Sequence, residues 1–116
     1  MNYDEAVKAH SSWKVKLVNY LKNPDNSLKS DDICKDNLCD LGKWIYSMEN
    51  KFSGNNNFKK LKSIHADFHT EAGNIALRIH SGEKFSEDEI IGKNSKFNIL
   101  SQQVIASLMA IQHLLV

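Results

Sequence analysis

Two histidines at helical spacing are the residues whose chemistry is most informative in this sequence. His65 and His69 stand four positions apart, so a helix would project both imidazoles from one face. Zinc takes four nitrogen or sulfur ligands in a tetrahedron, and such a pair can supply two of them. Cys39 could give a thiolate and His10 a third imidazole. Four protein ligands would leave no open position, which favours a structural or sensory site over a hydrolytic one.

Taken singly, these residues and the other cysteine and histidines have simpler interpretations. His10 alone would be a hydrogen-bonded core histidine, and Cys39 alone would be a small buried hydrophobic residue. Cys34 falls in a polar connector, so we expect a free thiol rather than a ligand; a Cys34–Cys39 disulfide would need oxidising conditions. His80 and His113 lack matching partners and are interpreted as ordinary helix residues.

The first half of the chain predicts two amphipathic helices that must position His10 and Cys39. Apolar residues from Val7 to Leu21 recur at steps of three and four, and the polar cluster Asn23–Pro24–Asp25–Asn26 ends this helix. A connector over roughly residues 23 to 36 follows, and Asp36 or Asn37 is predicted to cap the second helix. Its inner face is Leu38, Leu41, Trp44, Ile45 and Met48. Gly42 within it indicates a close approach by another backbone.

The second half predicts two more helices. A break over residues 52–57 precedes a third helix, which runs from Phe58 to about His80 and is ended by Ser81–Gly82. Ser86–Glu89 resembles a capping box, and the final segment runs to Val116 with an interruption at Gly92 and Asn94–Ser95. Its apolar positions are Phe97, Leu100, Val104, Leu108, Ile111 and Leu115. We therefore predict an all-α fold, an antiparallel four-helix bundle with a zinc site between helices.

Length and composition define the broad class of protein. The 116 residues suffice for one domain, covering residues 1–116, with a single hydrophobic core. A formal charge of +1 argues against a dedicated nucleic-acid binder. No apolar run is long enough to span a bilayer, so no membrane association is expected. The acidic start at Asp4–Glu5 does not resemble a signal peptide, and we expect a cytoplasmic protein with reduced thiols.

The sequence does not contain the usual catalytic patterns. A di-iron bundle needs Glu-x-x-His arrangements, but Lys62 and Ala66 stand three positions before His65 and His69. A zinc hydrolase needs an open coordination position, which four protein ligands would fill. We also find no glycine-rich phosphate loop or catalytic triad, so we predict that the protein is not an enzyme. The alternative to a zinc site is a metal-free helical module for protein interactions.

Three motifs together resemble one known family. They are His10–Ser–Ser–Trp–Lys, Cys39–Asp–Leu–Gly–Lys–Trp–Ile, and His65–Ala–Asp–Phe–His–Thr–Glu–Ala–Gly, and the tail from Ser95 to Ile105 is similar as well. Their order, spacing and companion residues are similar to those of the chemoreceptor zinc-binding (CZB) domain. The resemblance implies a bacterial signalling module that binds Zn²⁺ through His10, Cys39, His65 and His69. Such modules occur on chemoreceptors for chemotaxis and on cyclic-di-GMP synthases.

The resemblance also implies partners and a signal. Members are usually homodimers that control an output domain, so we expect a homodimer and either an attached output domain or a partner protein. The apolar last helix, residues 104–116, is compatible with a dimer interface. The signal would be zinc itself or an oxidant such as hypochlorous acid, acting as on a redox sensor through the Cys39 thiolate. Asp40 and Asp67 adjoin ligands, and either could hydrogen-bond a ligand imidazole.

Overall fold

The structure is a computed structural model that describes residues 2–24, 29–84 and 86–114. These residues form helices and turns without any strand, which confirms the all-α fold class. In chain order the helices are α1 Tyr3–Ser11, α2 Trp13–Lys22, α3 Ser30–Ile33, α4 Asp40–Phe52, α5 Asn56–His80, α6 Glu87–Ile91 and α7 Lys96–Ala110, and a 3₁₀ turn spans Gln112–Leu114. Among our predicted positions, Asp25, Asn26, Leu115 and Val116 lie outside the described residues.

The N-terminal helix is divided at Ser12, where the sequence predicts one continuous helix. Asn2 caps α1 by accepting a hydrogen bond from the Glu5 N–H at 3.2 Å. The Ser12 hydroxyl donates to the Ala9 carbonyl at 2.8 Å, and serine hydroxyls that bond nearby carbonyls compete with the helical ladder. The break is local, because the Ser12 backbone keeps αR torsions and its carbonyl accepts from the Lys16 N–H. As predicted, α2 ends just before Asn23.

The start of α4 differs from the prediction. We expected Asp36 or Asn37 to cap this helix, but the N-cap is Cys39, whose sulfur accepts the Gly42 N–H at 3.3 Å. Leu38 therefore precedes the helix and is 50% exposed, so its predicted place on the inner face is wrong. The rest of that face is confirmed, since Leu41 and Ile45 are buried and Trp44 and Met48 pack against the core.

The connector before α4 contains a short helix, α3, that the sequence analysis missed. Its four residues are too few for a hydrophobic period to emerge, and Ile33 at its end is buried in the core. This segment packs against α5. The carbonyl of Ile33 is thereby brought to the interior of the molecule.

Helix α5 is the central element and packs against α2, α3, α4 and α7. Asn55 caps it by accepting the Phe58 N–H at 3.0 Å, and Gly82, with φ of 86°, follows its end as predicted. Its buried face contains hydrophobic residues and both histidines of the i,i+4 pair. The members are Phe58, Leu61, His65, Phe68, His69, Ala72, Gly73, Ile75, Ala76 and Ile79.

The last segment is interrupted where the sequence predicts it. Ser86 caps α6 by accepting the Glu89 N–H at 3.3 Å, and Ser95 caps α7 by accepting the Asn98 N–H at 3.1 Å. The predicted apolar positions from Phe97 to Ile111 are buried. Among the residues that the structure describes, no helix has the length and apolar character needed to cross a membrane.

Gly42 is a point of close approach, as predicted. A Cβ built on Gly42 would lie 1.6 Å from the Asp36 carbonyl oxygen, so the backbone of the connector occupies the space of a side chain. Gly54 offers a matched comparison because nothing lies within 4 Å of its Cβ position.

We predict that Gly42→Ala lowers the free energy of unfolding by about 1–3 kcal/mol, because the connector backbone must shift to admit the methyl group. Gly54→Ala should change it by less than about 0.5 kcal/mol. Urea unfolding followed by circular dichroism measures both. Equal stability of the two variants would contradict the close packing of Asp36 on Gly42.

Candidate metal centre

Helix α1 places His10 in the interior, together with Ala6. The His10 side chain is 2% exposed, and its Nδ1–H donates to the Ala6 carbonyl one turn earlier at 2.8 Å. Because a carbonyl can only accept, Nδ1 must carry the proton. In the neutral ring Nε2 then holds a lone pair, and this atom lies 3.1 Å from Nε2 of His65.

The i,i+4 pair of α5 meets His10 from the neighbouring helix. His65 and His69 are 0% and 3% exposed, and their Nε2 atoms are 3.1 Å apart. The Nδ1–H of His69 donates to the Ile33 carbonyl at 2.9 Å, so His69 also directs an unprotonated Nε2 inward. Among the described residues, Nδ1 of His65 is the buried side-chain polar atom that lacks a hydrogen-bond partner.

Cys39 completes the group from the N-terminus of α4. Its sulfur lies 3.3 Å from Nε2 of His65 and 3.5 Å from Nε2 of His69. The side chain is half-buried, and its sulfur accepts the Gly42 N–H. The four donor atoms of His10, Cys39, His65 and His69 all lie within 4.8 Å of one another. We call these four residues the donor cluster.

Four of the six distances between donor atoms in the donor cluster are close to those around a tetrahedral metal ion. Zinc bonds of about 2.0 Å to nitrogen and 2.3 Å to sulfur give tetrahedron edges of about 3.3 Å between nitrogens and about 3.5 Å between nitrogen and sulfur. The contacts of 3.1, 3.1, 3.3 and 3.5 Å are close to these values. The unprotonated Nε2 atoms of His10 and His69 each lie 3.1 Å from Nε2 of His65, and a cation among these atoms would stabilise their lone pairs.

The buried position sets the charge state of the donor cluster. Burial lowers the pKa of His10 and of His69, and burial together with its two histidine neighbours lowers the pKa of His65 to about 2. Burial raises the pKa of Cys39, against the opposing effect of the Gly42 N–H. The imidazoles are therefore neutral and ready to coordinate, whereas the thiol must lose its proton when a metal binds.

Aromatic rings of Trp13 and Phe68 lie beside part of the donor cluster. The Trp13 ring meets His69 edge-on at 6.4 Å, and the Phe68 ring lies 5.5 Å from both His10 and His69. Trp44 instead packs against Phe52 and Phe58. The two rings beside the histidines add apolar cover that limits the access of water to the donor atoms.

The predicted roles of Asp40 and Asp67 are wrong. Backbone carbonyls of Ala6 and Ile33 accept from His10 and His69, and Nδ1 of His65 has no partner among the described residues. Sequence reasoning missed both carbonyls because every residue type carries one. The only available signal is that Ala6 lies four positions before His10 on the same helix.

The remaining cysteine and histidines are not part of the donor cluster, as predicted. Cys34 is an exposed free thiol whose Sγ lies 3.4 Å from the Asp31 carbonyl. His80 is exposed, with Nδ1 3.5 Å from the Tyr20 hydroxyl, and His113 is exposed in the last turn.

Comparison with known families identifies the class of this domain. The sequence model of the chemoreceptor zinc-binding domain matches residues 10–76, more than half of the 116 residues, and this range includes the whole donor cluster. The chain belongs to the chemoreceptor zinc-binding domain family, a sensory and regulatory family rather than a catalytic one. No curated protein and no solved structure matches the chain in the corresponding comparisons.

Cobalt(II) reports the ligand set directly, because it substitutes for zinc and its spectrum depends on geometry and on thiolate coordination. We predict strong visible bands of a tetrahedral ion and a thiolate-to-cobalt charge-transfer band in the native protein. Cys39→Ser should lose the charge-transfer band, and Cys34→Ser should keep it. The weak spectrum of six-coordinate cobalt, or dependence of the charge-transfer band on Cys34, would contradict the assignment.

Proposed function

We propose that this chain is a zinc-binding regulatory domain of bacterial signalling that holds Zn²⁺ through His10, Cys39, His65 and His69. The observation that carries the proposal is the convergence of three imidazoles and one thiol, with spacings close to those of a zinc tetrahedron. Zinc, when bound, would supply a positive charge that joins α1, α5 and the start of α4. The family match supports the same function.

Each helix contributes a different part of this site. Helix α5 gives two rigidly spaced ligands, and α1 gives one that its own Ala6 carbonyl orients. Cys39 has a different status, because it stands at the boundary between the connector and α4 and is less buried than the histidines. Loss of the thiolate would therefore release the start of α4 and leave the histidines on their own helices. We propose this boundary as the responsive element.

Oxidation of Cys39 is the chemical event that best fits this boundary. Hypochlorous acid converts a thiolate to sulfenic acid with release of chloride, so the sulfur loses the negative charge that zinc binding requires. The cytoplasm, which keeps thiols reduced, is the compartment in which such a site would respond. Zinc availability is the second signal that the same ligands could report. The output is a chemoreceptor or a cyclic-di-GMP enzyme, attached or acting as a partner.

The wider arrangement is part of the proposal. We propose that the helices form an antiparallel four-helix bundle and that two chains associate as a homodimer. Ile99 and Met109 on α7 are 44% and 60% exposed, and they support an apolar contact outside the buried face of that helix. Analytical ultracentrifugation measures the oligomeric state.

We predict that one molar equivalent of hypochlorous acid releases zinc from the loaded protein and adds one oxygen atom to Cys39. A chromogenic chelator measures the released zinc, and peptide mass spectrometry locates the oxygen. Cys34→Ser should release at least as much zinc as the native protein, because Cys34 is an exposed free thiol that consumes oxidant and is not one of the four donors. Zinc release without modification of Cys39, or release that requires Cys34, would contradict oxidant sensing at this thiolate.

A further inference from the structure

The segment from Ile33 to Cys39 joins α3 to α4 and contacts the donor cluster at both of its ends. At one end the Ile33 carbonyl accepts from Nδ1 of His69 at 2.9 Å. At the other end the Cys39 sulfur lies within 3.5 Å of the Nε2 atoms of both α5 histidines. The position of the thiolate therefore depends on how this short segment is held between its ends.

Asp36, in the middle of the segment, is fastened to α4 by both its backbone and its side chain. Its carbonyl occupies the space over Gly42, where a Cβ would lie only 1.6 Å away. Its two carboxylate oxygens each lie 3.0 Å from the Tyr46 hydroxyl, which donates to the carboxylate. Gly42 and Tyr46 are four residues apart, so both contacts fall on the same face of α4.

Tyr46 is itself held by α5. The Lys62 ammonium group lies 5.0 Å from the centre of the Tyr46 ring, within the range of a cation–π contact. Lys62 also forms an ion pair with Glu49 of α4. Because Lys62 stands three residues before His65 on α5, these contacts connect Asp36 to the helix that carries two of the four donors.

We propose that Asp36 and Tyr46 form a clamp that positions Cys39 for metal binding and sets how slowly the bound metal is released. Cys39 follows Asp36 by three residues, so fixing Asp36 on α4 restricts the places that the thiolate can occupy. Without the clamp, the segment is held by its end contacts and by packing at Gly42. Asp36 and Tyr46 are positioning residues in this account, since neither belongs to the donor cluster. The inference rests on the proposed zinc-binding function.

The size of the effect follows from the distance to the ligands. Groups that hydrogen-bond a metal ligand directly change metal affinity by about 10- to 100-fold when removed. The clamp residues do not hydrogen-bond a metal ligand themselves, and Tyr46 is 43% exposed. We therefore expect a smaller change in metal affinity, about three- to tenfold. Most of it should appear in the rate of metal release, because association depends mainly on encounter.

The experiment measures zinc transfer from the loaded protein to an excess of a chromogenic chelator. Tyr46→Phe, which removes only the hydroxyl and retains the ring, should release zinc about three to ten times faster than the native protein. Asp36→Ala should have the same effect, and the double variant should release zinc no faster than either single variant. Asp36→Asn retains a carbonyl acceptor for the Tyr46 hydroxyl, so its rate of zinc release should be close to that of the native protein.

Ser47→Ala is the matched control, since it removes an exposed hydroxyl from α4 whose bond is to the Trp44 carbonyl within the same helix. It should release zinc at the native rate. The thiolate-to-cobalt band should persist in every variant, because the ligands themselves are unchanged. This band separates a change in positioning from the loss of the ligand set or of the fold.

The outcomes distinguish the clamp from the function on which it rests. A native protein that binds neither zinc nor cobalt would overturn the proposed function and the clamp together. Native zinc binding with unchanged release from Tyr46→Phe and Asp36→Ala would overturn the clamp alone. Equal acceleration by Ser47→Ala, or additive effects in the double variant, would also overturn it, because the effect would then be a general weakening of α4.

Discussion

The close approach of three buried imidazoles and a half-buried thiol is the constraint on which the rest of the structure depends. Polar side chains removed from water destabilise a fold unless their polar atoms find partners. Carbonyls of Ala6 and Ile33 accept from the outward nitrogens of His10 and His69. The Nε2 atom of His10 instead lies beside Nε2 of His65, which also contacts the Cys39 sulfur. That sulfur accepts a hydrogen bond from the Gly42 N–H. A tetrahedral cation would stabilise the donor cluster more than hydrogen bonds among its four side chains could.

The arrangement of the helices follows from that constraint. Helix α5 can present two donors because the i,i+4 spacing places them on its buried face, among the aliphatic and aromatic residues that form the core. Helix α1 must lie near enough for His10 to reach His65, and the connector must return the chain so that α4 begins beside α5. Gly42 permits that return, since the Asp36 backbone lies where a side chain would otherwise be.

The all-α class and the His65–His69 pair could be predicted from local, residue-specific signals, whereas His10 and Cys39 could be assigned only through the resemblance of their flanking motifs to the chemoreceptor zinc-binding domain. The His65–His69 spacing defines a shared helix face, and the end of α2 before Asn23 follows from turn-forming residues. The cap of α4 could not be predicted in the same way. Asp36 and Asn37 are better capping residues than cysteine by intrinsic preference, but the Asp36 carboxylate accepts from Tyr46, and Cys39, which belongs to the donor cluster, is the N-cap of the helix. The break at Ser12 accompanies a hydrogen bond from its hydroxyl to the Ala9 carbonyl, and the contact at Ile33 uses a backbone atom, so neither changes the spacing of apolar residues.

Elemental analysis of protein purified without added metal tests the central claim most directly, because it asks what the donor cluster holds when the protein folds in a cell. The account predicts about one zinc per chain in the native protein and in Cys34→Ala, and a reduced or readily chelated content in Cys39→Ala. Absence of zinc from the native protein, even after incubation with zinc under reducing conditions, would contradict the account and leave a metal-free helical interaction module.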